Sequence, residues 1–117
     1  MLSTALQRGG DDFRVALYVL IENGQDPADR LTAAQALAAR HAWIVDSRAF
    51  DTTGETDPTT RPQLARLFSE VQQGRIHAIV SASRTDISQF DDQYRQFLDQ
   101  LRDRRGGLAL ARDETSL

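Results

Sequence analysis

The sequence contains no cysteine and no lysine among its 117 residues. Without cysteine the chain has no disulfide bond, no thiolate nucleophile and no zinc site with sulfur ligands. It also has no apolar run near the roughly 18 residues that a membrane-spanning helix requires. The hydrophobic content of 40% and the charged content of 26% are those of an ordinary soluble globular protein.

The absence of lysine means that all 14 basic side chains are arginine. Arginine binds phosphate and carboxylate through two parallel hydrogen bonds, which suits contact with nucleic acid. A lysine-poor codon usage explains the same fact more simply. The net charge of −3 and the pI near 5.3 differ from the basic surplus of tight DNA-binding domains. We therefore expect unaided DNA binding to be weak.

The length predicts one domain with a single core. Residues 1–12 are polar and include Gly9-Gly10, which favours a flexible lead-in to a domain at residues 13–117. The same segment lacks the basic and apolar regions of a signal peptide. A cytoplasmic location without membrane attachment is the expectation.

Short β-branched runs alternate with segments of helical apolar spacing. Strands are predicted at Arg14–Ile21, Trp43–Val45, Ile76–Ala82 and Leu108–Ala111. Helices are predicted from Pro27 to about His41, from Pro62 to Gly74 and from Asp86 to Arg105, with a polar loop at Phe50–Thr60. The alternation predicts a three-layer α/β domain with a largely parallel central sheet of four to five strands flanked by helices.

In a parallel sheet, functional groups gather beyond the carboxyl ends of the strands. The segments expected there are Glu22–Gln25, Asp46–Gly54, Ser83–Ser88 and Arg112–Thr115. Polar and charged side chains are frequent in all of them. A functional site, if the domain has one, is expected at this edge.

Four short motifs occur in order between about Arg14 and Thr115. They are Tyr18-Val19-Leu20-Ile21-Glu22, Asp51-Thr52-Thr53-Gly54, Arg61-Pro62-Gln63-Leu64 and Ser83-Arg84-Thr85-Asp86-Ile87. They are similar to the Y-x-R-V-S strand end, D-x-x-G loop, R-P-x-L helix start and D-R-L-x-R strand end of the resolvase/invertase family. An R-P-x-L match alone is weak, but the four in order resemble the N-terminal catalytic domain of a serine recombinase.

The resemblance implies a resolvase-like fold and a chemistry that this sequence does not retain. In the family, a serine hydroxyl attacks a DNA phosphodiester and several arginines stabilise the charge of the transition state. Glu22 stands at the position of that serine. Leu20 stands at an arginine position two residues earlier, Ser83 at an aspartate position and Ile87 at the last arginine position.

Glu22 also places negative charge where the scissile phosphate would lie. At about 4 Å the repulsion costs roughly 1–4 kcal/mol at intermediate dielectric. No DNA cleavage is therefore expected. Arg61 and Arg84 match retained arginine positions and are interpreted as the remnant of a phosphate-binding site, although pairing with acids such as Asp57 and Asp86 is an equally good interpretation.

The resemblance also bears on partners. Family members continue into a long helix and a helix-turn-helix domain, and this sequence stops at Leu117 before either. We expect weak DNA contact, self-association or association with a full-length recombinase, no cofactor and no membrane. The resulting hypothesis is a catalytically inactive assembly or regulatory module in DNA recombination.

Two other functions remain open from the sequence. Glu22 could act as a carboxylate nucleophile, or as a ligand for Mg²⁺ together with Asp46, Asp51 or Asp86, on a nucleotide-like substrate. No D-x-D spacing supports a metal site, and the chain offers no Ser/His pair, since His77 and Ser83 fall at opposite ends of one strand. The third function is that of a plain protein-interaction domain. The aromatic stripe Phe90, Tyr94 and Phe97 is interpreted as core, and the alternative is that part of it is a self-association surface, because members of the recombinase family that the sequence resembles act as dimers and tetramers.

Overall fold

The computed structural model describes residues 13–53 and 57–112. Its strands are β1 (Arg14–Ile21), β2 (Ile44–Thr52), β3 (Ala78–Ser81) and β4 (Gly107–Leu110). Its helices are α1 (Ala28–Arg40), α2 (Pro62–Gln72) and α3 (Asp91–Asp103), with helical turns at Pro58–Thr60 and Arg84–Asp86. The predicted lead-in at residues 1–12 lies outside the described residues.

The strands form one parallel sheet in the order β2-β1-β3-β4. Strand β1 is central and almost wholly buried, which accounts for its continuous apolar sequence. It pairs with β2 along its whole length, with one irregularity between Val15 and Ala16. All four strands therefore end at the same edge of the sheet.

Alternate residues of β1 face opposite layers. Val15 and Leu17 pack with Ala34, Leu37 and Ala38 of α1. Ala16 and Tyr18, on the other face, pack with a cluster from the two remaining helices that comprises Leu64, Leu67 and Val71 of α2 and Phe97 and Leu101 of α3. The predicted three-layer α/β architecture is confirmed. No helix in the described part of the chain is both long enough and apolar enough to span a membrane.

Two element boundaries differ from the sequence prediction. The second strand was predicted to end at Val45, but it continues to Thr52, so that Asp51 lies in a strand and is buried. The pattern hid this because polarity does not follow burial along β2: Phe50 is exposed and Asp51 is buried. The predicted helix from Asp86 begins only at Asp91, because Asp86 and Ser88 turn their side chains to backbone N–H groups before it.

Candidate functional site

An open cavity of about 370 Å³ lies beyond the carboxyl end of β1. Its lining comes from all of the loops at this edge except the one after β4: Leu20, Glu22, Gln25, Arg30, Thr53, Arg61, Thr85, Ser88, Gln89 and Phe90. The cavity therefore lies at the edge of the sheet where the sequence predicts functional groups. Eight of the ten lining residues are polar or charged, and Phe90, which is 48% exposed, is the aromatic residue among them.

A fully buried carboxylate, Asp86, fixes the shape of this cavity from behind. Its Oδ1 accepts hydrogen bonds from the backbone N–H of Leu20 at 3.0 Å and from Arg30 Nη2 at 2.7 Å. Its Oδ2 accepts from the backbone N–H of Ser83 at 2.9 Å. One side chain thus ties the end of β1, the first turn of α1 and the loop after β3 to one another.

The Asp86 contact identifies Arg30 as a site residue that the sequence argument missed. Arg30 donates through both Nε and Nη2 to Asp86, and Nη2 also donates to Ser83 Oγ at 3.2 Å. Its side chain remains 38% exposed and reaches the cavity. Its position in the first turn of the helix after β1 could have predicted this, because that turn lies at the carboxyl edge of a parallel sheet.

Arg61 enters the wall from the segment before α2. It is held in extended conformation ahead of Pro62, as residues before proline commonly are, and is only 2% exposed. Its Nη1 donates to the backbone carbonyl of Asp86 at 2.9 Å, and its side chain also hydrogen-bonds Tyr18. Arg61 is therefore occupied by contacts inside the fold.

Behind Arg61, the buried carboxylate of Asp51 caps α2. It accepts from the backbone N–H groups of Gln63 and Leu64, each at 3.0 Å, and from the Tyr18 hydroxyl at 3.0 Å. Pro62 has no N–H to satisfy, so this cap reaches the first donors of the helix. Burial raises the pKa of Tyr18 well above its ordinary value, and the Asp51 carboxylate adds to the rise while Arg61 opposes it.

Glu22 follows β1 directly, in a turn closed by a hydrogen bond from the Gln25 N–H to the Glu22 carbonyl. Gly24 takes a positive φ of 89° to make that turn. The Glu22 side chain is exposed on the cavity wall. Within residues 13–53 and 57–112 it makes no hydrogen bond or ion pair.

The other positions singled out by the sequence are dispersed. Leu20 lines the cavity, whereas Ile87 is fully buried in the core beneath α3. Ser83 is 9% exposed and caps the helical turn at Arg84–Asp86. Arg84 forms an ion pair with Asp91 and stacks over the Tyr94 ring at 4.4 Å from its centroid, outside the cavity lining. Of the two retained arginines, the structure brings only Arg61 to the cavity.

The ionic groups of the site sum to a negative charge. Arg30 is paired with Asp86, and Arg61 is joined to Asp51 through the Tyr18 hydroxyl. Glu22 then adds a carboxylate without a matching arginine. When the buried Asp51 and Asp86 behind the wall are counted, the described ionic groups of the site sum to one negative charge, and Glu22 is the acidic residue among those that line the cavity.

The groups considered for metal or acid–base chemistry do not converge. No three His, Asp or Glu side chains form a potential metal site among the described residues. Asp46 pairs with Arg14 at the beginning of β1, at the opposite edge of the sheet. His77 accepts a hydrogen bond from the Arg14 N–H and stacks on Phe13, and His41 stacks on Trp43, so both histidines also lie at that opposite edge.

No protein-family model and no curated protein sequence matches the chain, but solved structures do. The N-terminal catalytic domain of TP901-1 integrase aligns with a TM-score of 0.72 at 15% identity, covering 83% of this chain and 76% of that one. The C-terminal catalytic domain of ISC1926 TnpA, an IS607-like serine recombinase, gives 0.74 at 13% identity, covering 87% and 69%. A serine recombinase from Sulfolobus solfataricus gives 0.62 at 14% identity, covering 86% and 71%. The fold implied by the four motifs is confirmed: this chain has the α/β fold of serine recombinase catalytic domains.

Proposed function

We propose that this chain is a recombinase-like domain that does not cleave DNA and serves as an assembly or regulatory module in DNA recombination. The fold supports the connection to recombination, because each of the three solved structures described above is an integrase, a transposon-encoded recombinase or a serine recombinase. Its partners would be further copies of itself or a full-length recombinase. Any contact with DNA would be weak at a net charge of −3.

The main support for the proposed lack of DNA cleavage is the Glu22 carboxylate on the cavity wall. A carboxylate in place of a hydroxyl removes the nucleophile and repels the phosphate. The two arginines of the cavity do not offset it, because Arg30 and Arg61 are already engaged by Asp86 and Tyr18. A phosphoryl-transfer site needs cations aimed at the developing charge, and here the fold itself occupies them.

The surrounding positions support the same proposal. Ile87 is buried in the core, and Leu20 presents an apolar side chain to the cavity. Neither can stabilise an anionic transition state. Ser83 and Ser88 carry hydroxyls near this edge, but Ser83 is bonded to Arg30 and Thr85, and Ser88 to Gln93 and the Phe90 N–H. Among the described residues, neither serine hydroxyl is hydrogen-bonded to a side chain that could act as a general base.

The test is incubation with supercoiled plasmid DNA, followed by denaturing gel analysis for nicking and for a covalent protein–DNA adduct. A catalytically competent serine recombinase with its own site serves as the positive control. We expect neither product from the wild-type chain. A wild-type adduct that disappears when Ser83 or Ser88 is replaced by alanine would overturn the proposal.

The variant Glu22→Ser sharpens this experiment. It restores a hydroxyl without restoring arginine at Leu20 or Ile87. We expect it to remain inactive, because the transition-state charge is still not neutralised. Cleavage by Glu22→Ser would show that a single residue separates this domain from an active enzyme.

A further inference from the structure

Charge is separated between the two edges of the sheet. The edge where the strands begin, here called the basic edge, carries the exposed residues Arg14, Arg40, Arg75, Arg102, Arg104 and Arg105. Four acidic residues share it, Asp46, Glu70, Asp99 and Asp103, of which the first three are paired with arginines. The edge that holds the cavity, here called the acidic edge, carries Glu22, Asp26, Asp29, Asp51, Asp57, Asp86, Asp91 and Asp92 against Arg30, Arg61, Arg84 and Arg112.

Helix stability explains part of this separation. Asp29, Asp91 and Asp92 lie in first turns, and Arg40 and Arg102 lie in last turns, where they complement the helix macrodipole. Glu22, Arg75 and Arg105 lie in loops, so the helix macrodipole does not explain their positions. These three are also exposed, and their side chains make no hydrogen bond or ion pair within the described segments.

Arg75 and Arg105 lie in neighbouring loops. The loop that holds Arg105 is joined to the segment after Arg75 by a hydrogen bond from the Gly107 N–H to the His77 carbonyl at 3.2 Å. Gly106 also lies directly against the side chain of Val71, at the end of α2. Neighbouring Arg104 is already stacked over the Phe68 ring, 4.6 Å from its centroid. Two guanidinium groups that have no partner within residues 13–53 and 57–112 are therefore exposed in adjacent loops.

The cavity at the acidic edge suits such a group. Its two lining arginines are engaged by Asp86 and Tyr18, and Glu22 offers an exposed carboxylate that a guanidinium can engage through two hydrogen bonds. The amides of Gln25 and Gln89 add acceptors, and the exposed Phe90 ring offers a face for a cation. The cavity volume of about 370 Å³ is sufficient for an arginine side chain.

We propose that the cavity binds an arginine from the basic edge of a second copy of this chain, Arg75 or Arg105, through Glu22. The inference rests on the proposed assembly role and specifies its contact. Because donor and acceptor lie at opposite edges, the association is head-to-tail, and it propagates into a ring or a chain rather than stopping at a two-fold dimer.

The charges favour a second copy over nucleic acid as the occupant. A polyanion would use only the basic edge and would be repelled by the carboxylates of the rest of the molecule. A second copy uses both edges at once, and the charge of one complements that of the other. Exposed ion pairs are screened by salt, so the association is expected to be weak and strongly salt-dependent.

Sedimentation measurements up to about 1 mM protein test the proposal, at low ionic strength and again at a salt concentration that shortens the Debye length to a few ångströms. We expect the mean mass to rise beyond a dimer at low salt and to return to that of a monomer at high salt. Glu22→Gln and Arg75→Gln/Arg105→Gln should each lower the association constant about tenfold or more. The matched control Arg48→Gln/Arg95→Gln removes the same charge from the middle of the molecule and should associate as the wild type does.

Mixing the two weakened variants gives the decisive result. Glu22→Gln keeps its basic edge, and Arg75→Gln/Arg105→Gln keeps its cavity, so together they should form one wild-type contact and stop at a heterodimer. A wild type that stays monomeric at low salt, or a mixture that does not pair, would overturn the inference. So would loss of binding to a short DNA duplex in the arginine variant without any self-association, which would identify a polyanion as the partner. A covalent DNA adduct would refute the proposed lack of cleavage without affecting these outcomes.

Discussion

At the scale of the residue, the shape of the cavity depends on the carboxylate of Asp86, which is not among the residues that line it. Asp86 is fully buried, yet it is bonded to Leu20, Arg30 and Ser83. A buried charge is tolerated only where such partners replace its hydration. The burial of Asp86 was not predictable from the sequence, because an aspartate in a polar loop after a strand is usually exposed.

The change Asp86→Asn tests this dependence. The amide keeps the shape but loses the charge that pairs with Arg30, and one of its atoms becomes a donor in a site built for acceptors. We expect the free energy of unfolding to fall by about 2–3 kcal/mol in urea denaturation. Asp91→Asn removes the exposed pair with Arg84 and serves as the comparison, with an expected loss below about 1 kcal/mol. Equal losses in the two variants would contradict the role given to Asp86.

At the scale of the element, the sequence predicted the strands and helices whose positions are set by apolar packing. It missed the boundaries that are set by hydrogen bonds. The buried strand β1 and the apolar face of α2 were predicted correctly, since continuous or helically spaced apolar residues report burial directly. The extension of β2 to Thr52 was missed because it depends on backbone pairing with β1 and on the hydrogen bonds of Asp51, neither of which an apolar pattern reports. The late start of α3 was missed because Ser88 caps the Phe90 N–H instead of continuing the helix.

The junction of α2 with the end of α3 leads to a second prediction. A Cβ on Gly106 would lie 2.5 Å from Val71 Cγ1. Gly106→Ala should therefore destabilise the protein by about 1–3 kcal/mol, measured as a shift of the urea midpoint. The double variant Gly106→Ala/Val71→Ala should be more stable than the sum of its single changes predicts.

Gly74→Ala is the matched control for Gly106→Ala. Gly74 has a positive φ of 78° but open space around it, so alanine there is strained by its backbone alone. Its cost should not shrink when Val71 becomes alanine. Rescue of both glycine variants by Val71→Ala would exclude the proposed steric contact.

At the scale of the whole molecule, the location of the site was predictable and its charge balance was not. Parallel topology alone brings Glu22, Arg61 and the loop at Ser83–Ser88 to one edge. Which arginine faces the cavity depends on side-chain direction, which the motifs did not contain. Arg84 matched a family position but pairs with Asp91, while Arg30 matched none and lines the wall.

The dependence of stability on pH is a property of the whole molecule, and the buried Tyr18 contributes to it in alkali. The pKa of Tyr18 is raised by burial, so above about pH 10 the unfolded chain loses its phenolic proton while the folded chain keeps it. The folded state then binds more protons, and the free energy of unfolding falls as pH rises, by up to about 1.4 kcal/mol per pH unit. The contribution is complete below that pH and is lost above it.

Urea denaturation of wild type, Tyr18→Phe and Tyr94→Phe between neutral and strongly alkaline pH measures this effect. Tyr18→Phe should lose about 1 kcal/mol at neutral pH, because Asp51 loses the hydroxyl donor, and should show a flatter alkaline decline. Tyr94→Phe keeps Tyr18 and should keep the wild-type slope. An unchanged slope in Tyr18→Phe would assign the alkaline decline to another group.

The position of Asp86 behind the cavity has an evolutionary consequence. Because the walls are held from within, neither Glu22 nor Phe90 is required to keep the cavity open, and substitutions at such surface positions carry little folding penalty. A lineage can exchange the residues that meet a ligand, one at a time, while each intermediate stays folded. The same scaffold can thus abandon one ligand and acquire another without passing through an unstable protein.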